Sequence, residues 1–385
     1  MRTLGELLDS SDGRRFLESR GVWADEEAFV DRLRPPLRSG LSVVAGLDPG
    51  RFPVYSAHQL LPDYRPSVTS KIGAIGGLGR RHPSVAALLV WLDLDRAGAD
   101  KSTSGLQLSG RGGTLRIRLA SRRHDEKETR FVPVDRAALE EGLRRMRAWA
   151  RQHGPAVAER SARLEEAMVA AEPASLARLN LALTAFLVRE QLGVDAPSIL
   201  VSELAARGVL TELIDEVVDA IDDVVTVFNR AIGGLVAADV DPQVRSLGPE
   251  YLPLHYSCDR DDRRIALVHE RRGADHFAVA TCVCGNGYRF HLGTTTLSIA
   301  ELAQTGRWSP DVTLAMYLGD LTSGVVAGRS SALYGLVLNE VSEKVLARRP
   351  VPMLIPEDLS SVLAGGPAGT KEGPDGLLAA YLRGG

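Results

Sequence analysis

The run "VAALLVWL", Val85–Leu92, followed at once by Asp93-Leu94-Asp95-Arg96, constrains the fold more than any other stretch of the sequence. A strand with one wet face alternates apolar and polar residues. This run is apolar throughout and rich in bulky side chains, as a strand covered on both faces must be. Such strands belong to parallel sheets flanked by helices, whose crossover loops open at the carboxyl ends of the strands, where ligands bind. Two carboxylates and a guanidinium at that end define the first candidate site. Alternation along a continuing strand would set Asp93 and Asp95 on one side with Leu94 facing away. Carboxylates so placed can share a proton, coordinate a divalent cation or hold ribose hydroxyls.

The rest of the chain reads as alternating elements. Residues 3–33 form short helices, stopped at "RPPLRSG". "LSVVAG" reads as a buried strand ending at Gly46, and Asp48 to Tyr64 as a loop. "KIGAIGGLGRR" opens a helix at Lys71. "TLRIRL" and "TRFVPV" read as a half-exposed antiparallel pair. Asp135 caps the helix "RAALEEGLRRMRAWARQH", a second helix runs to about Ala171, and a third ends at Gly193. "PSILVS" reads as a short strand, and "TELIDEVVDAIDDVVTVFNRAIGGLV" as one long amphipathic helix with an acidic face. Four strands then alternate with turn-rich stretches between Leu252 and His291, as in a β-meander. "SIAELAQTGR" is helical, while "DVTLAMYL" and "RPVPMLIP" read as buried strands.

The expected fold is therefore α/β: a Rossmann-like, mostly parallel sheet with a helical insertion and a small antiparallel meander. Its segments are 1–40 (helices), 41–250 (first part of the core), 251–296 (meander), 297–360 (second part of the core) and 361–385 (a loose tail).

A chain of 385 residues with 44% hydrophobic residues, 25% charged residues and a formal charge of −3 is an ordinary globular composition. It carries no basic excess to attract nucleic acid, and its apolar runs are too short to span a membrane. The amino terminus lacks the apolar stretch of a secretory signal. Three cysteines make no disulfide framework, and a cytoplasmic location is the expectation. "GADKSTSG" has Asp100 where a phosphate-binding loop needs glycine, and Gly73, Gly76, Gly77 and Gly79 miss the dinucleotide fingerprint. No G-x-S-x-G or H-E-x-x-H occurs.

A loop dense in hydrogen-bonding groups is a second candidate ligand-binding stretch: Tyr55, His58, Gln59, Tyr64, Arg65 and Lys71. Cys258, Cys282, Cys284, His276 and His291 share the meander. Three sulfurs and two imidazoles are able to bind zinc, but C-x-C alone is not a structural zinc spacing, so buried core cysteines are the expectation and no metal centre is assigned. His124-Asp125 falls in a charged run and reads as a solvated turn.

The order of these pieces resembles the bacillithiol synthases, cysteine-adding enzymes akin to nucleotide-binding Rossmann-type ligases. The similarity runs from about Leu41 to Ser360. It lies in "VVAGLDPGRFPVYS" with "SVTSKIGAI", in "ALLVWLDLD", in "SIAELAQTGRWSPDVTL", in "VVAGRSSALYG" and in "VPMLIP". The resemblance implies that Gly46, Gly50 and Lys71 line a ligand cleft, that Asp95 takes the place of the family's first acid, and that Tyr334 packs near the second half of the site. With the candidates read from the residues, the expected set is Asp93 and Asp95 as catalytic groups, with Gly46, Gly50, Tyr55, His58, Gln59, Lys71, Arg96 and Tyr334 contacting substrate. The implied reaction joins an amino acid or other acyl donor to an amine or amino sugar. The implied ligands are a small-molecule substrate and a nucleotide, ATP or ADP; the implied assembly is a homodimer.

The chain departs from the family at Leu47-Asp48, where the family has Gln-Gln, and at Arg96, Ala97 and Gly98, where it has Asp-His-Asp. It departs again at Ala315-Met316, in place of Arg-Pro, and at Ser331, in place of an acid. The family's carboxyl-terminal coiled coil has no counterpart before Gly385. A non-catalytic relative is thus the alternative. "HQLLP", "LDLDRAGADK" and "LARLNLALTAFLVREQLGV" also resemble the WbqC-like proteins of glycan loci, a further alternative.

Overall fold

A computed structural model of the protein describes residues 1–98, 104–110, 113–171, 174–318, 320–356 and 376–384. The stretch around Asp100 and most of the carboxyl-terminal tail lie outside the described residues. In chain order the strands are β1 (Val22–Trp23), β2 (Phe52–Gln59), β3 (Val85–Leu92), β4 (Gly105–Gly110), β5 (Gly113–Arg118) and β6 (Ser198–Leu200). They continue as β7 (Tyr251–Ser257), β8 (Arg264–Arg272), β9 (Asp275–Thr281), β10 (Gly287–Gly293), β11 (Trp308–Pro310), β12 (Gly324–Val326) and β13 (Met353–Leu354). The first sheet has the order β1-β13-β12-β2-β3-β6, the second β10-β9-β8-β7-β11, and β4-β5 is a separate hairpin. The first sheet is parallel and Rossmann-like and the second antiparallel, so the protein is the α/β molecule that the apolar run of β3 implies. No helix among the described residues is long and apolar enough to cross a membrane.

The chain divides into two units. One comprises Met1–Ser56, Leu78–Leu88 and Val201–Glu357, the other Ala57–Gly77, Leu89–Leu200 and Asp358–Gly385. The division falls inside β2, β3 and the helix Pro66–Arg81.

In the first unit, β12 pairs with both β13 and β2, placing Val325 beside Met353 and Tyr55. The meander alternates as a sheet with one covered face should: in β10, Phe290 and Leu292 are buried while Arg289 and His291 are exposed. In the second unit, β3 and β6 pair through Leu89–Trp91. Its helical insertion consists of Arg136–Gln152, capped by Asp135, then Pro155–Ala170, which starts on a proline, then Leu176–Leu192, closed by Gly193. The helix Leu377–Arg383 joins this unit, with Tyr381 edge-on to Phe186 at 5.3 Å.

Several elements differ from the sequence reading. "LSVVAG" is not a buried strand but the helix Gly40–Ala45, with Gly46 as its left-handed carboxyl cap. Only Leu41 is buried there and Val43 is 71% exposed, so a covered strand has nothing to cover. "DVTLAMYL" is the helix Val312–Leu318, whose first turn donates to the Asp311 side chain. A helix buried on all sides and a buried strand are both continuously apolar, and periodicity does not separate them. The loop expected over Asp48 to Tyr64 contains β2. The partner of "TLRIR" is β4, while "TRF" forms a 3-10 turn. The long acidic helix is two, Thr211–Asp219 and Ile221–Ala237, meeting at Ala220.

Candidate functional site

β3 ends at Leu92, so the alternation that would pair Asp93 with Asp95 stops one residue short of them. Asp93 is wholly buried, Asp95 half-buried and Arg96 exposed. The segment 93–98 runs against 125–129 instead. Thr129 donates its hydroxyl to the Asp93 carbonyl (2.7 Å) and its N–H to the Asp95 carbonyl (2.9 Å). The Ala97 N–H donates to the Lys127 carbonyl (2.8 Å) and the Gly98 N–H to the Asp125 carbonyl (2.7 Å). At Gly98 any Cβ would lie 2.4 Å from the Asp125 Cβ, so this close approach excludes a side chain where the resemblance would place an acid.

The charged run read as a solvated turn is largely structural. His124 is buried, Asp125 pairs with Arg118 at 2.6 Å, and Arg96 pairs with Glu126 at 2.8 Å. Sequence reasoning missed Glu128, which has no exposed surface and pairs with Arg130 at 2.6 Å. Nothing in "HDEKETRF" distinguishes that acid from its exposed neighbours.

The carboxyl ends of β2 and β3 lie side by side, since the Leu60 N–H donates to the Leu92 carbonyl (3.2 Å). His58 and Gln59 are therefore strand residues and not loop residues. Gln59 is exposed and His58 buried, with the His58 ring 5.9 Å from that of Trp91. Tyr64 packs on the same indole at 5.7 Å; its hydroxyl donates to the Gln59 carbonyl (3.3 Å) and accepts the Leu61 N–H (3.0 Å). Tyr64 thus holds the turn 59–64 against the strand ends.

Lys71, in the second turn of the helix Pro66–Arg81, stands close enough to His58 for their charges to interact. Burial lowers the Lys71 ammonium to about 8. Burial, and then the neighbouring Lys71, hold His58 well below the usual histidine range, so its imidazole is neutral near neutrality. The Trp91 indole N–H is fully buried without a hydrogen-bond partner.

His58, Gln59, Lys71, Asp93, Asp95 and Arg96 thus fall in one unit, all but Lys71 at the ends of two neighbouring strands. Gly46, Gly50, Tyr55 and Tyr334 fall in the other. Gly46 ends a helix and Gly50 is exposed, so Gly46 is not the strand end expected of it. Tyr55 is buried, with its hydroxyl pushed up by burial and without a partner. Tyr334 lies edge-on to Phe228 at 5.7 Å.

Cys258 and Cys282 are buried, as expected, and Cys284 is half-buried. Cys258, Cys282 and Cys284 converge with Asp261, whereas His276 bonds to His269 (2.9 Å) and His291 to Asp275 (3.0 Å). No family model and no curated protein matches the chain.

Proposed function

We propose that the chain is a cytoplasmic, ligase-like enzyme of the bacillithiol-synthase type, which joins an amino acid or another acyl donor to an amine or amino sugar. Its site is the carboxyl end of β2 and β3. The observation that carries this reading is Lys71: a buried amine with a pKa of about 8, beside a neutral His58, at the place where parallel sheets bind ligands. An amine nucleophile is protonated near neutrality and must lose a proton before it can attack. A general base works best when its pKa lies near the working pH. Lys71 in its neutral form takes that proton. The amine nitrogen then bonds to the electrophilic carbon of the donor, and the leaving group departs with the bonding pair. Asp95, half-exposed, holds the substrate ammonium or hydroxyls. On the resemblance, a nucleotide is the expected co-substrate.

The complete burial of Asp93 favours a second reading, a non-catalytic relative. A carboxylate without exposed surface meets no ligand unless the strand end rearranges.

Thermal-shift titration separates the two readings. The purified protein is titrated with ATP, ADP, cysteine, glucosaminyl malate and other amino sugars, alongside Lys71→Met and Asp95→Asn. A ligand that binds only the folded state stabilises it by about 2.7 kcal/mol at a hundredfold excess over its dissociation constant. The enzyme reading expects a shift with an amine substrate that Asp95→Asn weakens, together with product formation that Lys71→Met abolishes. A shift with none of them sinks it and leaves the non-catalytic relative.

A further inference from the structure

The three cysteines come from two turns of the meander. Cys258 follows β7, and Asp259–Arg263 carry the chain into β8; Cys282 and Cys284 lie between β9 and β10. Each turn is closed by its own backbone. In the first, the Cys258 N–H donates to the Arg263 carbonyl (2.9 Å) and the Asp262 N–H to the Cys258 carbonyl (2.8 Å). In the second, the Cys282 N–H donates to the Asn286 carbonyl (2.8 Å) and the Gly285 N–H to the Cys282 carbonyl (2.9 Å). Gly285, at φ +93°, reverses the chain directly after Cys284, a conformation that an L side chain rarely adopts.

These turns bring one ligand atom from each of Cys258, Asp261, Cys282 and Cys284 within 4.8 Å of one another. The Cys258 and Cys284 sulfurs are 3.6 Å apart, and the Cys282 sulfur lies 3.7 Å from both Asp261 oxygens. Around a tetrahedral ion with metal–sulfur bonds of about 2.3 Å, the sulfur–sulfur edge is about 3.8 Å. The cluster already has nearly that spacing.

We infer that Cys258, Asp261, Cys282 and Cys284 form a zinc site that ties the β7–β8 turn to the β9–β10 turn. Three thiolates select a soft ion, and four protein ligands fill a tetrahedral sphere, so the site is structural. The thiolates and carboxylate carry four negative charges against two on the ion, and three guanidinium groups stand around them, of which Arg307 is also paired with Asp262 at 2.5 Å. Arg263 lies 3.8 Å from Asp261, and Arg260 donates to the Cys284 carbonyl (3.4 Å). Arg307 donates to the Cys258 carbonyl (2.7 Å). The Tyr288 hydroxyl, within hydrogen-bond reach of the Asp259 carboxylate, also lies 3.0 Å from the Cys258 sulfur, where an outer-sphere group can orient a metal-bound thiolate. None of this depends on the strand-end cluster.

The test is elemental analysis of the full chain, produced with zinc in the medium and purified without chelator, followed by exchange of the bound metal for Co²⁺. The expected result is one zinc per chain and, after exchange, the visible bands of tetrahedral cobalt thiolate. Cys284→Ser and Asp261→Ala reduce the retained zinc to a trace; Val283→Ala, at an exposed position between the two cysteines, retains it in full. Should the cysteine variant fail to fold, the wild-type thiols decide: they react with a disulfide reagent only after a chelator is added. Wild-type protein that holds no zinc and gives no tetrahedral cobalt spectrum overturns the assignment. So does a Cys258–Cys284 disulfide found by mass spectrometry.

Discussion

The strand end around Asp93 and the cysteine turns of the meander assemble polar groups in opposite ways. At the strand end the groups come from the ends of two neighbouring strands and the helix between them, and the packing of a large indole decides which of them water reaches. Trp91 has no exposed surface and touches both His58 and Tyr64. In the turns, the groups come from positions 21 and 26 residues apart, and backbone hydrogen bonds of tight reversals set their spacing. Packing thus sets the charge states at the first place, and chain reversal sets the geometry at the second. A cavity should therefore damage the first far more than a truncation damages the second.

Trp91→Ala is the largest expected effect. Emptying so large a buried side chain costs about 3–5 kcal/mol. Val283→Ala, at a site that is 78% exposed, should change stability by less than about 0.5 kcal/mol. Urea unfolding of both variants checks the contrast. Similar losses in the two would show that the turn is packed and not merely reversed.

Next in size is Lys71→Met, with the opposite sign. The native pKa of about 8 against 10.5 for the ordinary group corresponds to about 3 kcal/mol of cost in burying the ammonium. The folded form gives up its proton first, so the cost is full below about pH 8 and gone by about pH 10.5. Lys71→Met should exceed the wild type by about 3 kcal/mol near pH 7, with the gap closing across that window. Unfolding free energies at several pH values measure it, and a gap independent of pH would place Lys71 in water. His58 acts at the other end of the scale. Its folded pKa is depressed, so its contribution is intact above about 6.5 and is lost as the pH falls. His58→Gln should flatten the acid limb of the wild-type profile.

The same contrast explains what the sequence reveals. The continuous apolar run of β3 announces a parallel sheet, and Asp135, Gly154-Pro155 and Gly193 mark helix ends, because each of these signals is local. "LSVVAG" misleads because a short, mostly apolar stretch suits a buried strand or a short helix, and long-range packing decides between them. At the strand end the identities of Asp93, Asp95, His58 and Lys71 are legible. Their ionisation is not, since it depends on burial by residues distant in sequence. Asp261 escapes notice because C-x-x-D resembles an ordinary acidic turn until the second hairpin arrives opposite it.

Arg96→Ala is the smallest expected effect at the strand end and its sharpest test. Arg96 and Glu126 pair at 2.8 Å with both side chains nearly half exposed. Exposed pairs of this kind are worth about 0.2–1 kcal/mol and weaken with salt. If Arg96 only makes this pair, the variant loses that amount in dilute buffer and nothing at high salt, and ligand titrations are unchanged. If Arg96 leaves Glu126 to meet an anionic substrate, stability still changes little. Affinity then falls by much more than the ion pair is worth, because a guanidinium bound to a carboxylate or phosphate contributes charge-assisted, often paired, hydrogen bonds. Comparing the two measurements on one variant therefore tells whether the guanidinium at the end of β3 belongs to the surface or to the site.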